Sequence, residues 1–79
     1  MNIKKRKDLE KTLLLLELSI DIIKSVKKEE QNGYYNMTEG LQQTKKGEMM
    51  DDAIDDMDEA IKSLEDAVMY IEDAMNGRY

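Results

Sequence analysis

The side chains of this sequence best suited to chemistry are carboxylates. Asp51, Asp52, Asp55, Asp56, Asp58 and Glu59 fall within nine consecutive positions. Asp52 and Asp55, like Asp55 and Asp58, stand three apart, which on a helix sets two carboxylates on neighbouring turns where they can share a divalent cation. Turned into a helical core, such pairs can hold Mg²⁺ for nucleotide hydrolysis. The surrounding pattern turns them the other way. From Met50 onward the large apolar residues Met50, Ile54, Met57, Ile61, Leu64, Val68, Ile71 and Met75 alternate four and three apart. This is the heptad pattern of a helix buried along one seam. With Ile54 at position a, the acidic residues occupy b, c, e and f, outside the seam. The looped calcium pattern with its central Gly and terminal Glu is missing. So are His, Cys, a Ser beside a plausible base, and a Gly-rich phosphate loop. The sequence predicts a non-enzymatic protein with no catalytic residue, no metal ligand and no cofactor. Metal-dependent nucleotide hydrolysis ranks last of three readings.

The same acidic helix supports a second reading. Carboxylate pairs at 51/52, 58/59, 65/66 and 72/73 recur every seven residues, about 10.5 Å along a helix. Duplex DNA carries about one charge per 1.7 Å of axis, so a dimer would mimic it better than one chain. This reading makes the protein an acidic inhibitor, or nucleic-acid mimic, acting on a nucleic-acid-binding protein. Direct nucleic-acid binding is opposed by a net charge of −6. The charge is uneven. Residues 1–31 hold eight basic and six acidic side chains, a net +2, and residues 49–79 hold two and ten, a net −8. The basic cluster Lys4, Lys5, Arg6 and Lys7 has no interleaved aromatic and makes a weak phosphate-binding patch.

The elements that carry these residues can be read from periodicity. A first helix is expected over about 5–30, capped by Asn2 or Asp8. Lys4 to Lys7 sit at the wrong end of its dipole and are expected to fray or form an arm. At 100° per residue this helix separates two apolar stripes. One contains Leu9, Leu13, Leu16, Ile20 and Ile23. The other, more than a quarter turn away, contains Leu15, Leu18, Ile22 and Val26. Thr12 and Ser19 lie between them. The connection spans about 31–44, with Gln31-Asn32-Gly33 as a turn signal. Asn36-Met37-Thr38-Glu39 can cap a short helical turn, and Tyr34, Tyr35, Met37 and Leu41 are expected to cover one end of the fold. A second helix follows over about 45–76, with Thr44 as N-cap, Asn76-Gly77 as its stop, and Gly47 as a weak point in the first turn. The helices measure about 39 and 45 Å at 1.5 Å per residue, which favours an antiparallel hairpin.

An alanine column, Ala53, Ala60, Ala67 and Ala74, flanks the seam of the second helix and lets a neighbour approach closely. It is expected against the first helix or against a copy of the second, with the acidic flank toward solvent or a neighbour's lysines. Met69 lies off the seam, beside Tyr70, and suits a contact surface.

Seventy-nine residues make one domain with a marginal core. Without Cys or His, neither a disulfide nor a tight transition-metal site can reinforce it, so oligomerisation remains. The fold class is therefore all-α: a helical hairpin assembling into a four-helix bundle, most simply a homodimer. The expected seam is Leu9, Leu13, Leu16, Ile20 and Ile23 against Ile54, Met57, Ile61, Leu64, Val68 and Ile71. The expected oligomer interface is Leu15, Leu18, Ile22 and Val26. Glu17 and Asp21 interrupt the leucine-rich start, which excludes a signal peptide or membrane span and predicts a cytoplasmic protein. The first reading of function is an interaction protein that works through self-association or an unidentified protein partner.

From Tyr35 onward the text reads YNMTEGLQQTKKGEMMDDAIDDMDEAIKSLEDAVMYIEDA. It resembles a group of short bacterial and phage-borne proteins of unassigned function, in which a segment like N-M-P-E-N-L-Q precedes a helix of A-I-x-x-L-E-E-A repeats. Asn36, Met37, Glu39, Leu41 and Gln42 match that segment. Thr38 stands in place of Pro and Gly40 in place of Asn. The resemblance covers roughly half of the chain, implies a phage or mobile-element setting, and carries over no catalytic residue.

Overall fold

The computed structural model describes residues 1–77. Helix α1 (Ile3–Tyr35), the single turn α2 (Glu39–Gln42) and helix α3 (Lys45–Asn76) follow in order, and the described chain is all-helical. The two long helices run antiparallel, forming a rod 58 × 17 × 13 Å in extent.

Helix α1 is longer at both ends than its periodicity predicts. At its start Asn2 accepts the Lys5 N–H at 2.8 Å, so the helix is capped ahead of the basic cluster. The cluster is not an arm. Lys4 pairs with Asp8 at 3.0 Å, and the Arg6 guanidinium donates to the Met75 carbonyl at 2.6 Å. Antiparallel packing thus places a cation misplaced for its own helix at the C-terminus of α3, where the dipole and an unsatisfied carbonyl both favour it.

At its other end α1 passes through the expected turn at Gln31-Asn32-Gly33 and stops at Tyr35. No described glycine has positive φ, so Gly33 is ordinary helix. Its missing side chain matters more than its freedom, because a Cβ there would lie 3.3 Å from the Met50 Cε of α3. Continuing the helix half-buries Tyr34, and Met37 beyond it is likewise half-buried. The end is then closed by Asn36 N–H on the Asn32 carbonyl and Met37 N–H on the Tyr34 carbonyl, both at 3.1 Å. The Gln42 side-chain amide adds bonds to the Tyr34 and Met37 carbonyls at 3.0 and 3.4 Å. Tyr34 and Tyr35 meet edge to face with centroids 5.9 Å apart. Tyr35 and Leu41 nevertheless stay exposed, so only half of the expected apolar cover folds over the rod.

The reversal is compact. Thr38, rather than Asn36, caps α2 by accepting the Leu41 N–H at 3.3 Å. Thr44 caps α3, its hydroxyl accepting the Gly47 N–H at 3.4 Å and donating to the Leu41 carbonyl. Gly47, expected as a weak point, is a packing requirement. It is buried, and a Cβ there would fall 2.7 Å from both the Cα and the carbonyl carbon of Gln42. Only a residue without a side chain lets α3 start against the end of α2.

Along the rod, Leu9, Leu13, Leu16, Ile20 and Ile23 of α1 face Ile54, Met57, Ile61, Leu64, Val68 and Ile71 of α3. Ile20, Ile54 and Ile61 are buried at 7, 8 and 5% exposure; the other eight are half-buried. A helix with one neighbour can bury one stripe, and its edges stay wet.

The two glycines of the reversal separate volume from conformation. Gly47→Ala should lower stability by about 1–3 kcal/mol through overpacking. Gly40→Ala, where a Cβ meets nothing within 4 Å, should leave stability unchanged or raise it by about 0.4–1 kcal/mol. Urea unfolding followed by circular dichroism reads both, and equal losses would refute the packing role of Gly47.

Candidate functional site

Of the acidic run, Asp51, Asp52, Asp55, Asp56 and Glu59 are exposed on α3, and among the described residues no three acidic side chains converge on a point that could hold a metal ion. The heptad register explains this, since positions b, c, e and f turn away from the neighbouring helix. Asp58 at position e reaches the other helix: it accepts the Lys27 ammonium at 2.5 Å, with the two side chains 45 and 22% exposed. Lys27 lies one step beyond Ile23 on the seam face of α1, so its charge falls where the apolar stripe ends. The hydrogen bond from Lys27 holds the Asp58 carboxyl below the ordinary carboxylate value; partial desolvation opposes it, and the charges of Lys27 and Lys62 add to it.

A second accessible feature is apolar. Leu15, Leu18, Ile22 and Val26 of α1 are exposed at 66, 58, 55 and 47%, and Leu14 beside them at 67%. On α3, Ala53, Ala60 and Ala67 are half-buried at the edge of the seam, while Ala74 is exposed. Helix geometry decides how these sets relate. Looking down the hairpin from the start of α1, successive residues turn clockwise on α1 and anticlockwise on the antiparallel α3, by 100° each. Counted from the seam, Val26, Leu15 and Ile22 turn to one side of the plane of the two axes, and Ala53, Ala60 and Ala67 turn to the same side. Asp58 and Glu65 turn to the other. An open groove of about 450 Å³ near the reversal fits this assignment, because Glu30 of α1 and Lys45, Lys46, Met49, Met50 and Ala53 of α3 line it together.

One face of the hairpin is therefore apolar and small, with large branched side chains on α1 and alanines on α3; the opposite face is charged. Thr12 and Ser19 do not interrupt it, since their hydroxyls donate to the Asp8 and Leu15 carbonyls of their own helix. Compared with protein families, curated proteins and solved structures, the chain matches none. The surface must be read from its own chemistry. A contiguous exposed apolar stripe of this kind can be covered by another apolar surface. No described helix is long and apolar enough to cross a membrane.

Sequence reasoning missed three contributors. Leu14 stands four before Leu18 and about 40° from it, and extends the second stripe at its edge. Arg6 was grouped with its basic neighbours, and only the antiparallel register assigns it to the Met75 carbonyl. Gln42 sits in a polar stretch with nothing to mark its amide as the tie across the reversal. Met69, the expected contact residue, is exposed and points toward the acidic flank of α3, away from the apolar stripe of α1.

Because the Asp58 carboxyl is held below its ordinary value, its contribution to stability is present above the unfolded value of about 3.9 and is lost as pH falls through the folded one. Asp58→Asn should destabilise the hairpin at pH 7, by less at high salt. The difference from the parent should shrink as pH drops below about 4. Thermal melts across pH check this, and a gap that persisted at pH 2 would show that the ion pair is not its source.

Proposed function

We propose that this protein acts by association: a non-enzymatic hairpin that pairs with a second copy through the α1 stripe to form a four-helix bundle, and offers the assembled bundle as an interaction module. The observation that carries the reading is the imbalance of the apolar surface. Among the described residues three large hydrophobic side chains are buried while eleven stand 47% or more exposed, and four of these form the continuous stripe Leu15, Leu18, Ile22 and Val26. Isolated exposed apolar residues are normal on a soluble chain, but a contiguous stripe along a helix is the mark of a covered face. A rod this thin has no third element to cover it, and a chain of this size gains most from a partner. A second hairpin supplies a matching apolar face, and the carboxylates of α3 stay on the outside, where they keep the assembly soluble.

Light scattering over a dilution series should give a mass near twice 9.2 kDa. Leu18→Asp and Ile22→Asp should each reduce it to the single-chain value or unfold the protein, because a charge would be buried without a partner. Lys24→Ser, on the polar strip of α1, should leave the mass unchanged. A folded parent protein at the single-chain mass would sink the proposal and turn the search to a different partner protein.

A further inference from the structure

Building on that association, we propose how the two hairpins are arranged: the two-fold axis runs parallel to the helices, each α1 stripe lies on the alanine flank of α3 in the second copy, and both chain reversals sit at the same end. The observations are the shared face, the difference in side-chain size across it, and the difference in charge between the two helices.

Two hairpins that meet through this face can be related in two ways. An axis across the helices sets α1 over α1 and α3 over α3. Large branched residues then oppose large branched residues, alanines oppose alanines, and the layer is overfilled on one side and underfilled on the other. Close packing penalises both. An axis along the helices sets α1 over α3 twice, so large residues meet small ones throughout.

The register is compatible with that arrangement. Within one hairpin, Arg6 reaches Met75, Lys27 reaches Asp58, and the backbone at Gly33 lies beside Met50. Interpolating between these three ties places Ile22 level with Ile61 and Lys62, within about 3 Å of Ala60 along the axis, and Leu15 level with Ala67 and Val68. An axis parallel to the helices keeps every residue at its own level. Ile22 of one copy then meets Ala60 of the other, and Leu15 meets Ala67, with Ser19 between them.

Charge points the same way. Residues 1–31 carry a net +2 and residues 49–79 a net −8. The crosswise axis brings two strongly acidic helices side by side, with Asp56 on the facing side of each. The lengthwise axis gives every acidic helix two mildly basic neighbours, which suppresses the rival arrangement through like-charge repulsion as much as it favours its own.

The chain has no Cys, and position 40 is open to a side chain, so Gly40→Cys carrying a nitroxide label reports the separation of the two reversals in a dimer. Pulsed electron–electron resonance should give about 15–30 Å, set by a bundle diagonal with neighbouring helices 8–10 Å apart plus the label arms. A distance approaching the 58 Å length of the hairpin, in a sample that light scattering shows to be dimeric, would overturn the arrangement and leave the association intact. A single-chain mass would overturn both. As a second measurement, mixed and oxidised Ile22→Cys and Ala60→Cys chains should form a disulfide-linked heterodimer, since facing Cβ atoms come within bonding reach. Cross-linking of Ala60→Cys with itself would refute the proposal.

Discussion

A helix that has one neighbour can hide one stripe of its surface, and the rest of this structure follows from that limit. The seam of Ile20, Ile54 and Ile61 uses the whole of the contact that two helices can offer. The residues beside it remain half-wet however well their sequence is patterned. The α3 helix is built for the limit, with one apolar seam flanked by alanine on one edge and carboxylate on the other. The α1 helix exceeds it, with a second stripe of four residues beside the first of five and, among the described residues, no element to receive it. The same limit makes the ends of the rod critical, because a seam held by so little buried surface must be kept in register by polar ties: Arg6 on Met75, Lys27 on Asp58 and Gln42 on the carbonyls of Tyr34 and Met37.

The acidic helix shows how packing decides what a motif means. Carboxylates three apart are common to metal sites and to solvated helix faces, and only their phase relative to the apolar seam separates the two. Here the phase sets them outward, and one of them, Asp58, is drawn across to a lysine that terminates the apolar stripe of α1. The exposed apolar stripe and the carboxylate flank then occupy opposite sides of a rod only two helices wide.

Both long helices, the α3 cap at Thr44 and the two stripes of α1 were legible in the sequence because each rests on a repeated local rule: heptad spacing, a hydroxyl before a helix, 100° per residue. The misreadings share a different cause. Asn32-Gly33 is a turn signal only when nothing beyond it gains from being helical, and here Tyr34 does. Gly47 reads as a helix defect until the Gln42 backbone is placed against it. Lys4 to Arg6 read as a frayed arm until the far end of α3 arrives beside them. Only the Arg6 contact was set by a neighbour distant in sequence; Gly33 and Gly47 were decided by packing against residues one and five positions away, which propensity rules do not contain. The α1 stripe was visible from spacing alone, but that it shares a face with the alanine column required the hand of the helix and the antiparallel direction together.

The reversal has a mechanical consequence. Between Tyr35 and Lys45 the chain is almost continuously helical or capped, with Gln42 bonding across it and Gly47 seated against its backbone. Such a corner acts as a stiff spring, and the two long arms behave like tweezers closed at their tips by a single guanidinium. Separation of the arms is cheapest at the tips, where the lever is longest. The backbone amides of such a rod are therefore protected unequally, least near Arg6 and Met75 and progressively more toward the corner.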